Sequence, residues 1–262
     1  MTRNPEPDIT EGARNQGKGL NTNRPGQQCP VAGEHSHGNM SEYQIRLYKD
    51  SDYQRVREIF ADGITEHTAK SFHFSLRLPR IWAVFLLTFF VVLQTTGSLL
   101  LSIVAVIIDI GVLFLIHKYI YMHYVRRCLA DDMSDIHKYY LQRDGYCFWV
   151  AESSGEVAGM VAAVPIHHPG GEKQVELRRM SVPRKHRGKG IAKALCRVVI
   201  DFARKGGCEA VILETSYPQV DAWRMYEKMG FKRSRAFYVP TLITRFVGFE
   251  IFCYQYDLPA KR

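Results

Sequence analysis

The sequence predicts an α/β domain with a mixed central sheet, interrupted by a hydrophobic membrane hairpin. Three observations predict it. Short alternating or apolar runs that read as strands are interleaved with amphipathic helical patterns across residues 41–258. A run of 36 residues, Ile81 to Ile116, carries one charge, Asp109. A basic, glycine-containing turn, Arg187-Gly188-Lys189-Gly190, sits where a strand pattern ends and a helical pattern starts.

Residues 1–40 are rich in Gly, Pro, Asn, Gln, Glu and Arg and nearly free of large apolar side chains. Such a tail buries too little surface to offset its ordering entropy, so it is expected to be disordered. It has no apolar h-region and does not read as a signal peptide. His35 and His37 read as solvated histidines. Asn39-Met40-Ser41 fits the glycosylation sequon, which matters only if this end is lumenal. Tyr43–Tyr48 alternates as a first strand. Asp52 reads as an N-cap, and Tyr53, Val56, Ile59, Phe60 and Ile64 then recur at helical spacing.

A spanning helix needs about 20 residues. The Ile81–Ile116 run is long for one span, and its middle, Gln94-Thr95-Thr96-Gly97-Ser98, is polar and carries a helix-weakening Gly. It reads as two halves, Ile81–Leu93 and Leu99–Ile116, that form a membrane-embedded hairpin over residues 81–116. Arg77 and Arg80 precede it, and Lys118, Arg126 and Arg127 follow it. Positive flanks stay cytoplasmic, so both ends are expected on the cytosolic side. Asp109 is costly in lipid unless it lies near the interface, faces the partner helix or is protonated. The competing reading is a buried soluble helix pair, although soluble cores rarely run so long without Lys, Arg or Glu.

Tyr119–Arg127 reads as a basic, aromatic interfacial stretch and Asp131–Leu141 as a helix. Cys147–Glu152 and Val157–Ile166 read as a strand hairpin around Ser153-Ser154-Gly155-Glu156. The strand Val175–Val182 is followed by a helix from Gly190 to about Arg204, the strand Ala210–Glu214, and a helix over Val220–Met229 ended by Gly230. Phe231–Val239 and Phe249–Leu258 close the domain as strands, leaving 259–262 as a tail.

The net charge of +9 suits nucleic acid, anionic lipid or a polyanionic small molecule. No zinc-finger spacing or RNA-binding aromatic signature is present, so nucleic acid is not an expected partner. The six cysteines are scattered without a CxxC pair and are expected to be free thiols in a reducing compartment. No Cys/His/Asp cluster has zinc-site spacing, so no metal is expected.

The strongest local signal is the stretch Val182 to Leu195. A helix N-terminus presents unpaired N–H groups and a positive dipole end. Gly188 and Gly190 admit close approach of a ligand. Arg187, Lys189 and Lys185 add charge. Together they predict a pyrophosphate cradle spanning Arg187, Gly188, Lys189, Gly190, Ile191 and Ala192, with a plain basic surface turn as the bland alternative.

Arg187-x-x-Gly190-x-Ala192 resembles the acetyl-CoA signature of the GNAT superfamily, and Ala222-x-x-x-Tyr226-x-x-x-Gly230-Phe231 resembles that superfamily's following helix and strand. More specifically, Asp132-Met133-Ser134-Asp135-Ile136, Cys147-Phe148-Trp149-Val150-Ala151-Glu152, the stretch His186 to Leu195 and the apolar insertion resemble the camello-like (family 8) N-acetyltransferases, over roughly residues 40 to 258. The resemblance implies a GNAT acyl-CoA N-acyltransferase fold, acetyl-CoA as co-substrate and a ternary-complex mechanism. Backbone groups of Met180 and Val182 are expected to pair with the pantetheine arm, and one N–H to polarise the thioester. Glu176 is the leading general base, read on one pleat face with Arg178, Met180 and Val182; Glu214 and a water chain are the second and third candidates. Tyr226 is the candidate general acid. Arg178 and Arg179 are read as facing opposite sides, with Arg178 the candidate clamp for a substrate carboxylate. His167 and His168 read as solvated loop histidines, with a place bordering the substrate mouth as the alternative. Each role has a plain structural rival: a surface Glu, a core Tyr, a solvated Arg.

The expected reaction moves acetyl to a primary amine. By resemblance the leading acceptor is the α-amine of cysteine S-conjugates, giving mercapturic acids, in the endoplasmic reticulum membrane with the domain facing the cytosol. Acetylation of free L-aspartate and of lysines in secretory-pathway proteins share the fold as alternatives. An inactive scaffold in membrane trafficking or adhesion is the alternative of a different class.

Overall fold

The computed structural model describes residues 43–167 and 173–259. The tail expected over residues 1–40, with His35, His37 and the Asn39 sequon, lies outside the described residues, as do His168 and residues 260–262. Seven strands, β1 (Gln44–Leu47), β2 (Cys147–Ser153), β3 (Glu156–His167), β4 (Lys173–Ser181), β5 (Ala210–Ser216), β6 (Lys232–Tyr238) and β7 (Glu250–Asp257), form one sheet in the order β1-β2-β3-β4-β5-β7-β6. Only β4 and β5 pair in parallel, and the last strand inserts between β5 and β6. A parallel neighbour needs a crossover, supplied here by α5 (Ile191–Lys205).

The period-2 alternation of the strands gives the sheet two apolar faces. On one, Trp149, Val161, Leu177, Val211 and Leu213 meet Ile191, Leu195, Val199 and Phe202 of α5 and Tyr226 of α6 (Val220–Lys228). On the other, Phe148, Val150, Met160 and Ala162 meet Val56, Ile59 and Phe60 of α1 (Tyr53–Thr65). α5 lies so close to β3 that a Cβ on Gly159 would stand 3.0 Å from Ile191 Cγ2, 3.1 Å from Leu195 Cδ1 and 3.2 Å from Val182 Cγ2. Gly159→Val is therefore expected to cost about 1–3 kcal/mol through overpacking. A thermal melt in detergent checks it, and an unchanged midpoint would contradict this packing.

The apolar run forms α3 (Pro79–Thr96) and α4 (Leu99–Ala130). Pro79 starts α3, Gly97 ends it at φ 66°, and Ser98 caps α4 by accepting from the Leu101 amide at 3.4 Å. Within their most apolar windows only 11% of each helix is buried inside the chain, whereas a buried soluble pair would be mostly covered. At 1.5 Å per residue, α3 is about 27 Å long and α4 about 48 Å. The expected interfacial stretch Tyr119–Arg127 is therefore the continuing last half of α4. Tyr121, Val125 and Cys128 bury one face of it, so nothing breaks the helix before the domain is reached. Asp109 is partly buried, with Oδ2 enclosed and unpartnered among the described residues.

Two helices escape sequence reading. α2 (Thr68–Ser75) buries Ser71 and Ser75, not an apolar stripe. Both hydroxyls serve His117 on α4, at 3.0 Å from Nδ1 and 2.8 Å from Nε2. Ser75 spends its proton on the Val247 carbonyl at 2.5 Å, so it accepts from Nε2–H, and Nδ1 accepts from Ser71. The imidazole is thereby a neutral Nε2–H tautomer bridging α2, α4 and the chain before β7. The second, α7 (Leu242–Phe246), is a short helix capped by the Thr241 side chain, which accepts from the Thr244 amide at 3.2 Å.

Asp131–Leu141 is not the continuous helix expected. It is a turn followed by one wide π-type turn over His137–Leu141, because Asp132 is drawn inward to a partner described below. Cys128, Cys196, Cys208 and Cys253 are free thiols, as expected.

Candidate active site

β4 and β5 pair over Gln174↔Ala210 to Leu177↔Leu213. Both strands then run on, β4 to Ser181 and β5 to Ser216, without pairing to each other. The cause lies on the other edge of β4. Its ladder with β3 shifts between Ala162↔Arg178 and Met160↔Ser181, so Arg179 and Met180 together oppose Val161. This β-bulge has Arg179 at φ 53°, a left-handed conformation that L side chains adopt at a cost.

The bulge corrects two expectations. It reverses the alternation, so Arg178 and Arg179 both serve the α1 face, not opposite faces. For the same reason Glu176 and Arg178 do not share a face with Met180 and Val182, which pack with the α5-side core. The strained residue is held tightly. Arg179 Nε and Nη2 donate to the two carboxylate oxygens of Asp132, each at 2.8 Å, and Nη1 donates to Tyr124 Oη at 2.9 Å. Tyr140 also donates to Asp132, and the guanidinium lies 5.2 Å from the centre of the Phe60 ring. Asp132, the second residue past α4, is 1% exposed.

The β4–α5 turn has the shape expected of the cradle. Gly188 and Gly190 have φ 83° and 80°, and Gly190 is the N-cap of α5 without a side-chain cap bond. Only glycine takes these angles freely. A Cβ at Gly188 would meet nothing within 4 Å, and at Gly190 only Tyr43 Oη at 3.8 Å. The space above the first-turn amides of Ile191 and Ala192 is open and positively biased, which fits a diphosphate. Lys189 is exposed beside it, and Ile191 is buried against β3.

Arg187 differs from its expected part. Its Nε donates to the Val182 carbonyl at 2.9 Å and its Nη2 to Glu66 Oε1 at 2.5 Å, while Arg184 Nε donates to Glu66 Oε2 at 2.8 Å. The side chain thus staples the turn to the end of α1. Burial pushes the Glu66 carboxyl up, but the two arginines outweigh it and hold it below its ordinary range.

On the α1 face, Arg178 Nη2 lies 2.5 Å from Glu176 Oε2. Glu214, on the stretch of β5 past the parting, pairs across to Cys253 of β7, whose thiol lies 3.6 Å from Glu214 Oε1 and accepts from Arg235 Nε at 3.4 Å. The Glu214 carboxyl is held above its ordinary range, by desolvation first and by the Glu176 charge second. On the opposite face Tyr226 is buried, its ring 5.6 Å from Phe231 and 6.4 Å from Tyr254, and burial pushes its phenol far up, so it keeps its proton.

The predicted residues therefore divide. Met180, Val182, the cradle and Tyr226 serve the α5 side; Glu176, Arg178 and Glu214 serve the α1 side, and the parting between β4 and β5 is the passage between them. Cys253, Arg235 and the Arg179–Asp132 pair were missed. No sequence pattern joins Cys253 and Arg235 to Glu214, which they meet only through β7 inserting between β5 and β6, or Arg179 to Asp132, which meet only through the bulge.

A model described as the Acetyltransferase (GNAT) family matches residues 117–231. N-acetyltransferase 8F1 of Mus musculus is 40% identical over 222 residues, covering 84% of this chain and 100% of that protein. N-acetyltransferase family 8 member 2 of Rattus norvegicus is 40% identical over the same length, covering 84% of this chain and 97% of its own, and N-acetyltransferase 8B of Mus musculus is 40% identical with 84% and 95% covered. With that identity sustained over nearly the whole of each relative, and a parted mixed sheet above a glycine-shaped cradle, the chain belongs to family 8 of the GNAT N-acetyltransferases and is an acetyl-CoA-dependent N-acetyltransferase.

Proposed function

We propose that the chain acetylates the α-amine of cysteine S-conjugates at the surface of the endoplasmic reticulum membrane, with its catalytic domain on the cytosolic side. The observation that carries this reading is the charge cluster Glu176–Arg178–Glu214–Arg235 at the parting of β4 and β5, in a domain whose longest helices leave their apolar sides uncovered. Carboxylates suit an ammonium group, and an arginine suits the neighbouring carboxylate of an amino acid. An apolar S-substituent partitions toward lipid. Basic flanks at Arg77, Arg80, Arg126 and Arg127 favour the cytosolic side for both ends of the hairpin.

In this reading the diphosphate of acetyl-CoA rests on backbone amides from Gly188 to Ala192, the Arg187 amide being given to the Arg184 carbonyl, and Met180 and Val182 line the pantetheine arm. Arg178 orients the acceptor carboxylate. The amine loses its proton to the Glu176–Glu214 pair, in which Glu214 is held above the ordinary carboxylate range by desolvation and by the Glu176 charge. The nitrogen then bonds to the acetyl carbon, the carbon–sulfur bond breaks, and Tyr226 gives its proton to the departing thiolate. The site needs no metal in this scheme.

Thiol release from acetyl-CoA by the full chain in detergent tests the acceptor, using S-benzylcysteine, a leukotriene-type conjugate, L-aspartate and a lysine peptide. Turnover on the two S-conjugates is the expected result. Turnover confined to aspartate or to the peptide would replace the acceptor and leave the fold and family intact. Glycosylation mapping at Asn39 checks orientation, with no glycan expected.

A further inference from the structure

α7 buries only one of its five residues, Thr244. Leu242 is 87% exposed, Ile243 54% and Phe246 42%, which makes an apolar tip. A five-residue helix does not hold together by propensity, so something fixes this one. Beyond its Thr241 cap and the Thr244 bond to the Val239 carbonyl, the contacts that fix it lead to the base of the hairpin. Arg80, in the first turn of α3, donates from Nε to the Phe246 carbonyl at 2.6 Å and from Nη2 to the Arg245 carbonyl at 3.0 Å. The Val247 carbonyl takes the Ser75 hydroxyl. Val247 and Phe249 are buried in one cluster with Ile81 and Phe85 of α3 and Leu113 and Tyr121 of α4. Phe85 and Leu113 belong to the apolar run itself. The chain around α7 is thus clamped against the first turns of the hairpin, at their depth, with Trp82 and Tyr119 exposed on the same helices.

We propose that α7 is a second membrane contact, dipping Leu242, Ile243 and Phe246 into the boundary between lipid headgroups and acyl chains. The inference rests on the membrane reading of α3 and α4 and adds to it. Two observations favour lipid over a protein partner. The tip adjoins the apolar hairpin, and arginines 80 and 245 lie at its border as they do around interfacial helices. The consequence is functional. α7 joins β6 to β7, and these strands carry Arg235 and Cys253 beside Glu214. The acceptor end of the site therefore opens next to lipid, so an acceptor with an apolar substituent can arrive from the membrane surface.

The test places a photoreactive benzophenone amino acid at Leu242, Phe246, Ile107 (hairpin) or Lys193 (domain surface) in the full chain, reconstituted in phosphatidylcholine–phosphatidylserine vesicles. Lipid adducts are read by mass spectrometry. Adducts at 242, 246 and 107 and none at 193 are expected. Adducts at 107 alone would overturn the proposal while leaving the hairpin in place. Adducts at none of the four positions would overturn both it and the membrane reading. Crosslinks from 242 to a second copy would overturn it in favour of a dimer contact. As a functional arm, Leu242→Ser/Phe246→Ser is expected to raise KM several-fold for a long-chain S-alkyl conjugate while KM for acetyl-CoA stays unchanged. Equal change in both would mark simple misfolding and count against the proposal.

Discussion

Arg179→Ala is expected to produce the largest loss of stability of any single substitution at the site, about 3–5 kcal/mol, because it strands a buried carboxylate. Asp132 is 1% exposed and takes both of its strong donors from Arg179, with the Tyr140 hydroxyl as a third partner. Removing the guanidinium leaves a charge that water cannot reach. A second variant separates this from backbone strain. Arg179→Gly also deletes the ion pair but takes φ 53° at no steric penalty, so it is expected to recover about 1–2 kcal/mol relative to alanine. Thermal unfolding in detergent reads both. If alanine and glycine melt together with the native chain, the ion pair does not hold the bulge. The consequence for activity follows from geometry. The same bulge turns Met180 and Val182 to the α5 side. Loss of the bulge is therefore expected to lower acetyl-CoA affinity as well as stability.

Tyr226→Phe is expected to lower kcat by roughly 10²–10⁴ while leaving acetyl-CoA binding and the melting temperature nearly unchanged. The ring stays packed against Phe231 and Tyr254, and only the hydroxyl is lost. A fall in stability with no fall in kcat would make this a core tyrosine and nothing more. The pH profile tests the other half of the mechanism. A base must be ionised to act, so activity falls as pH drops through its pKa. Glu214 is held above the ordinary carboxylate range, so the acid limb of kcat/KM is expected at higher pH than a free carboxylate would give. Glu214→Gln is expected to lower the rate and abolish that limb. Glu176→Gln removes the neighbouring charge, and is expected to move the limb to lower pH by relieving Glu214. A limb that stays in place in both variants would assign the proton to another group.

Much of the fold was legible because its signals are local. The cradle is readable from Arg187 to Ala192 because two left-handed glycines and a helix start within a few residues. The strands read as short alternating or apolar runs, and the helices α1, α5 and α6 carry apolar stripes, so each element declares itself. α2 was not readable because its buried face is made of serines that pair with His117 from a helix forty residues on. The turn after α4 was not readable because Asp132 leaves the helical ladder for Arg179, a partner 47 positions away.

The sequence by itself determined the family, the apolar pair of helices, the order of the strands, and the position of the glycine turn that opens α5. Each of these is a short-range pattern of side-chain type, and hydrophobic periodicity or a glycine's freedom to take positive φ suffices to set it. The tertiary structure alone decided which face each residue of β4 serves. One extra residue in a ladder inverts every side chain beyond it, and whether a ladder bulges depends on the strand beside it and on the buried carboxylate that holds the bulge. It alone gathered Glu176, Glu214, Cys253 and Arg235, because the parallel pairing of β4 with β5 brings Glu176 beside Glu214 and the insertion of β7 brings Cys253 and Arg235, not any spacing along the chain.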